Sequence, residues 1–242
     1  MAPNPNSRKT ALVTGGAKRV GRELALALAR SGMNVVITFR GSAQEASETA
    51  RAIEALGVRS VAFDMDVRSE ESVHQTVAAT AALFRSLDLL VNNAAVFDSA
   101  PLGEITLAQW DAVFETNTRG PFLMAREALP HLKASHGRIV NLGSLGGSHP
   151  WATHAHYCAS KAALHMLTQT MAKAFAPEVS VNCVAPGYIE IQAGKEATHF
   201  MSKTPMARNG NAQDVAEAVL FFATGPHFIT GQILTVDGGL GL

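Results

Sequence analysis

Tyr157 and Lys161 stand four residues apart in Tyr157-Cys158-Ala159-Ser160-Lys161. The segment opens a stretch that reads as a helix to about residue 175, so both side chains project from one face. A free phenol has a pKa of about 10, too high for ready proton exchange at neutral pH. A neighbouring ammonium favours the phenolate and lowers that value. Such a pair can deliver a proton to a carbonyl oxygen or take one back. Ser144 precedes Tyr157 by 13 positions (157 − 144) and ends the run Ile139-Val140-Asn141-Leu142-Gly143-Ser144. A hydroxyl there can hold the same oxygen and stabilise the charge that develops on it. By itself the Tyr-x-x-x-Lys spacing is common on helix faces, so the surrounding elements decide its meaning.

The first of these is a glycine-rich turn. An apolar run at 11–13 leads into Thr14-Gly15-Gly16-Ala17-Lys18-Arg19-Val20-Gly21, which opens a helix. Glycines let a backbone approach a pyrophosphate, and a helix N-terminus supplies N–H donors and positive potential. Set between a strand and a helix, the turn points to a nucleotide. The tip of the second strand selects which one. A carboxylate there holds an unphosphorylated ribose, but this chain has Phe39 followed by Arg40-Gly41-Ser42. Arg40 and Ser42, with Lys18 and Arg19, can surround a 2′-phosphate through charge-assisted hydrogen bonds. The expected cofactor is NADP(H).

These loops need a frame. Apolar runs centre on 11–13, 35–38, 61–63, 89–91, 139–142, 179–184 and 233–236. Most are continuous rather than alternating, which suits parallel strands buried on both faces. Between them lie helical stripes: Val20, Leu24 and Leu28; Val73, Val77, Ala81 and Phe84; Val215, Val219 and Phe222. Gly32 and Gly57 stand as helix stops. Thr106 with Gln109 makes a capping box before a long helical segment, and Pro121 predicts a kink or break inside it. The alternation predicts a single α/β Rossmann-type domain over 1–242, a doubly wound parallel sheet of seven strands flanked by helices. Residues 1–7 read as a disordered lead. The irregular stretch 188–212 reads as a substrate lid at the sheet edge, with a plain long loop as the alternative.

Composition narrows the function further. Lys plus Arg total 20 and Asp plus Glu total 20, giving zero formal charge. A nucleic-acid surface needs a basic excess, so none is expected. Cys158 and Cys183 are too few for a disulfide framework and read as reduced thiols of a cytoplasmic protein. No stretch approaches the ~20 apolar residues of a membrane span, and no His/Cys/Asp spacing suggests a metal. His154 and His156 flank the tyrosine and read as surface or loop residues.

Taken together these motifs resemble the short-chain dehydrogenase/reductase family, from about Lys9 to Gly239. The first loop is similar to the family's Thr-Gly-x-x-x-Gly-x-Gly, with Arg19 at the middle glycine, a variant like that of pteridine reductases. Asn92-Asn93-Ala94-Ala95 resembles Asn-Asn-Ala-Gly, with Ala95 in the glycine's place. Asn182-Cys183-Val184-Ala185-Pro186-Gly187 resembles Asn-x-x-x-Pro-Gly, and Thr230-Gly231-Gln232 with Val236-Asp237-Gly238-Gly239 matches the closing strand.

The resemblance implies catalytic roles for Ser144, Tyr157, Lys161 and Asn117, the last supporting the lysine through water. Gly15, Val20, Gly21, Asn93, Ala94 and Ala95 would line the cofactor. Asp66 would take the adenine amine by its side chain and Val67 by its backbone. Tyr157 and Lys161 would reach the nicotinamide ribose. Pro186 and Gly187 would embrace the carboxamide, with Ile189 helping by its backbone, because Ile191 stands where the family often has Thr. A homotetramer is also implied, packed through the helices from Thr106 and Tyr157 and through the C-terminal strand.

The leading expectation is NADPH-dependent reduction of a carbonyl, with a 3-oxoacyl thioester as a plausible substrate by resemblance. A second is pteridine reduction, favoured by Arg19, Arg40-Gly41-Ser42 and Phe97, whose ring can stack on a pterin. Ser144 speaks against it, because pteridine reductases carry Asp there. A third is a non-catalytic NADPH-binding sensor, which the intact set of Ser144, Tyr157, Lys161 and Asn117 disfavours.

Overall fold

The computed structural model describes residues 8–191 and 195–242. The expected disordered lead at 1–7 lies outside them, as do residues 192–194 of the expected lid. Seven strands form one parallel sheet: β1 (Thr10–Val13), β2 (Asn34–Phe39), β3 (Ser60–Asp64), β4 (Leu89–Asn92), β5 (Arg138–Leu142), β6 (Ser180–Pro186) and β7 (Ile233–Val236). Their order is β3-β2-β1-β4-β5-β6-β7. The chain therefore winds outward from β1 to one edge, returns, and winds outward to the other.

Among the described residues eight α-helices connect the strands: α1 (Arg19–Arg30), α2 (Ala43–Glu54), α3 (Glu70–Phe84), α4 (Leu107–Phe114), α5 (Gly120–Ser135), α6 (Ala155–Phe175), α7 (Lys195–Lys203) and α8 (Ala212–Thr224). Successive strand residues point to opposite faces. Ala11, Val13, Val35, Ile37, Leu89 and Val91 pack with α1, α2 and α8. Leu12, Val36, Leu90 and Ile139 pack with α3, α5 and α6. Both faces are covered, which is why these strands read as unbroken apolar runs. Each fully buried Leu or Ile contributes about 1.5–3 kcal/mol of burial.

The expected helix signals hold in detail. Gly32 and Gly57 follow α1 and α2 with φ of +93° and +81°. The Thr106–Gln109 box caps α4, with the Thr106 hydroxyl accepting from the Gln109 N–H at 3.2 Å. The long helical segment keeps helical backbone angles through the junction, but its hydrogen-bond register changes over the turn before Pro121. A π-helical segment, Glu115–Arg119, separates α4 from α5, and Pro121 sits in the first turn of α5, where its missing N–H costs nothing. Pro130 also lies inside α5. The sixth strand begins at Ser180 and runs through Pro186, two residues past its expected end. The stretch 188–212 carries α7, so it is not all irregular.

Candidate active site

Every expected site loop leaves the C-terminal end of a parallel strand, so all of them share one edge of the sheet. The turn after β1 is built on backbone. Gly15 has φ +64° and its N–H donates to the Thr38 hydroxyl at 3.3 Å. A Cβ on Gly21 would stand 2.1 Å from the Gly15 carbonyl oxygen, so only glycine lets α1 begin this close to the loop. No side chain caps α1, and its first turn holds no acid. Its leading N–H groups are left for an anion. Arg19, standing where the family has glycine, adopts a left-handed φ of +52°.

Around this loop lie the groups expected to meet a 2′-phosphate. The Lys18 Nζ donates to the buried Ser42 hydroxyl at 2.8 Å. Arg40, beyond Phe39, donates to Asp66 at 3.3 Å. Asp66 is also gripped by Arg68, at 2.7 Å through its Nη2, and this hydrogen bonding holds its carboxyl down at about 2. Arg68 had no place in the sequence reading. Its signal was local: a base two residues past an acid at a strand end.

Asn93, after β4, donates through Nδ2 to the carbonyls of Thr14 and Gly15 at 2.9 and 3.0 Å. The Thr14 hydroxyl accepts from the N–H groups of Asn93 and Ala94, both at 3.0 Å. Ala95 is exposed next to them. Val67 packs against the start of α5, where a Cβ on Gly120 would come 3.0 Å from its methyl. At the far side Gly187 binds the Val236 carbonyl at 3.0 Å, and Ile189 bridges to Gly210.

The reactive set gathers at β5 and α6. Ser144 and Lys161 are almost fully buried and Tyr157 nearly so. The Lys161 Nζ lies 5.8 Å from the centre of the Tyr157 ring and donates to the Leu142 carbonyl at 2.7 Å. Burial lowers its pKa to about 8. Burial also raises the Tyr157 pKa, while a hydrogen bond with Ser144 acts the other way. The expected lowering of the phenol is reversed in the chain alone, where burial outweighs the Ser144 hydrogen bond. The Ser144 hydroxyl accepts from the Gly146 N–H at 3.1 Å, which fixes its loop.

Asn117 sits in the π-helical segment. Its amide binds both backbone groups of Val96, accepting at 2.8 Å and donating at 2.9 Å, and donates to the Ser160 hydroxyl at 3.1 Å. It ties the loop after β4 to α6. Phe97, on that loop, is 64% exposed. Its ring meets Tyr157 edge-on and stacks on His154, both with centroids 4.8 Å apart. Trp151 lies nearly parallel to Tyr157 at 6.0 Å.

One histidine departs from expectation, and another carried none. His156 is not a surface residue; it is 0% exposed. His165, one turn beyond Lys161, is buried against the serine loop, where a Cβ on Gly143 or Gly147 would stand 2.4 Å from its ring. Burial first, then Lys161, lowers its pKa. Only the glycines on either side of Ser144 hinted at such a ring. Among the described residues no group of three or more His, Cys, Asp or Glu could hold a metal ion. Among them, too, no helix is long and apolar enough to cross a membrane. Both cysteines are free thiols.

A family model described as enoyl-(acyl carrier protein) reductase matches residues 15–241. The 3-oxoacyl-[acyl-carrier-protein] reductase FabG of Staphylococcus aureus is 35% identical over 240 residues, covering 96% of this chain and 98% of that protein. The chain belongs to the short-chain dehydrogenase/reductase family. A dehydrogenase/reductase from Sinorhizobium meliloti superposes with a TM-score of 0.93 at 36% identity, covering 97% of this chain and 95% of its own. A blue fluorescent protein from a metagenomic library, solved with NADPH, gives 0.90 at 31% identity, covering 97% and 98%. Short-chain dehydrogenases/reductases are oxidoreductases, so this chain is an enzyme acting between C=O and CH–OH.

Proposed function

We propose that this enzyme reduces a ketone with NADPH, and that a 3-oxoacyl thioester is its substrate class. One observation carries the reading: Ser144, Tyr157 and Lys161 are buried together, with the Lys161 Nζ 5.8 Å from the centre of the Tyr157 ring. The relatedness to 3-oxoacyl reductases supports the substrate class.

The chain's residues divide the work. The glycine cradle at Gly15 and Gly21, with the uncapped start of α1 at Lys18, Arg19 and Val20, fits a pyrophosphate. Lys18, Arg19, Arg40 and Ser42 fit a 2′-phosphate, while Phe39, Asp66, Val67 and the Asn93–Ala95 strip frame the adenosine. Pro186, Gly187 and Ile189 hold the carboxamide end. When bound, NADPH supplies the hydride. Ser144 holds the ketone oxygen, and Tyr157 gives it the proton. Lys161 keeps a positive charge beside that oxygen and beside the cofactor ribose. Asn117 keeps the loop after β4 in place. We further propose a single NADP-binding domain that assembles as a tetramer.

A second reading, pterin reduction, draws on one specific observation. Phe97 stands exposed beside Tyr157, with Trp151 parallel to the phenol, so flat faces line the mouth. The deciding assay follows NADPH oxidation with an acetoacetyl thioester, a crotonyl thioester and a dihydropterin, each repeated with NADH. Thioester ketone turnover with NADPH supports the proposal. Turnover of the dihydropterin alone, or of the crotonyl thioester alone, replaces it. Preference for NADH overturns the role given to Arg40.

A further inference from the structure

We propose that Asp98 and His156 form a latch that fixes the loop after β4 to the catalytic helix, and so sets where Phe97 stands over Tyr157. Neither ring nitrogen of the wholly buried His156 has a hydrogen-bond partner among the described residues. An imidazole hidden from water without partners is costly. The Asp98 Oδ2 lies 3.5 Å from its Nε2, just beyond a full hydrogen bond.

Asp98 is preset for this contact. Its carboxylate accepts from the Ser99 N–H at 2.8 Å and from the Gln109 amide at 3.2 Å. Gln109 belongs to the box that caps α4. The carboxylate therefore stands where the loop, the first turn of α4 and the first turn of α6 meet. Hydrogen bonds from Ser99 and Gln109 hold its pKa below the usual carboxylate value, so it offers a charged acceptor at neutral pH. With the gap closed, an Nε2–H would donate to that oxygen.

The geometric consequence follows from adjacency. Phe97 precedes Asp98, and Tyr157 follows His156. Phe97 already touches Tyr157 and His154 on α6. Closing the Asp98–His156 gap by a few tenths of an ångström draws Phe97 toward the phenol, and opening it swings the ring away. Both residues are positioning residues, because neither touches the reacting atoms. They determine the width of the substrate mouth between Phe97 and Trp151.

The inference rests on the ketone-reductase reading of Tyr157, so the test has one arm that needs no turnover. Asp98→Asn, His156→Phe and the double variant are compared with the parent enzyme for KM and kcat toward the acetoacetyl thioester, for NADPH Kd and for Tm. Each single variant is expected to raise KM about 10-fold, with kcat changed less than about 3-fold and NADPH Kd unchanged. The double variant is expected to match the singles, because the two groups act as one. His156→Gln, which keeps a donor, is expected to recover most of the loss. In the second arm, 4-fluorophenylalanine reports the Phe97 environment by ¹⁹F NMR, with its resonance assigned by loss in Phe97→Leu. Asp98→Asn and His156→Phe are expected to move that resonance to one common position. An unmoved resonance, additive effects, or a joint fall in kcat and NADPH affinity overturns the latch. A parent enzyme that reduces no ketone while the resonance still moves overturns the activity and leaves the latch standing.

Discussion

Burial acts on Tyr157 and Lys161 in the same physical sense and in opposite directions on their pKa values. Each charged form is penalised, so the phenol rises and the ammonium falls to about 8. A reduction that needs a protonated Tyr157 and a charged Lys161 is then limited on the alkaline side by the lysine. The kcat/KM profile for ketone reduction should fall above about pH 8, and a limb near the ordinary tyrosine value would contradict this ordering. Replacing Tyr157 with Phe should lower kcat about 10²–10⁴-fold while NADPH still binds. A second residue prediction concerns Arg19, whose left-handed φ costs roughly 1–2 kcal/mol for a side chain with a Cβ. Arg19→Gly should leave the free protein as stable or more so by thermal melting, while NADPH binds about 10-fold more weakly and NADH is unaffected. Residue types at this scale were legible in the sequence, but their surroundings were not. Spacing placed Tyr157 beside Lys161 and suggested a lowered phenol, but it carried no sign of the burial that raises it. His156 looked like a loop residue because a lone histidine carries no mark of burial.

At the scale of elements, the loop from Gly143 to Gly147 is wrapped around a ring from another element. Its short 3-10 turn, Leu145–Gly147, starts from Ser144, and the two flanking glycines leave room for His165. Gly147→Ala should therefore lower stability by about 1–3 kcal/mol, as overpacking does, and also depress kcat by displacing Ser144. His165→Ala in the same protein should restore part of the Tm, since it removes the opposing ring. If the single variant melts like the parent, the ring is not a buttress. The strands were legible because burial on both faces leaves an unbroken apolar run. The capping box and the glycine stops were legible because each needs a particular residue type. The π-helical segment Glu115–Arg119 was not, since one extra residue in a turn leaves no periodic trace. Only Pro121 betrayed it.

Across the whole molecule, a doubly wound parallel sheet was expected from the alternation of strand and helix, whereas no periodicity encodes an assembly. Several large apolar side chains are exposed. Leu107, Trp110, Phe122 and Met166 lie on α4, α5 and α6, and Phe228, Leu234 and Leu242 lie near the C-terminus. The proposed tetramer would cover them. Light scattering on the purified protein should give four copies, and Phe122→Glu should reduce the assembly; a monomeric parent would refute the tetramer. The site itself bridges two halves of the chain. The loops proposed to hold the phosphates hang from β1 and β2, while Ser144, Tyr157 and Lys161 hang from β5 and α6. The halves are joined by the pairing of β1 with β4 and by Asn93 reaching back to Thr14 and Gly15. Any molecule lying across that seam acts as a clasp that must leave before the halves part. At 100 times its Kd, NADPH would add about 2.7 kcal/mol against opening, so wherever digestion requires that opening, a protease should cut the loaded enzyme on the order of 100-fold more slowly.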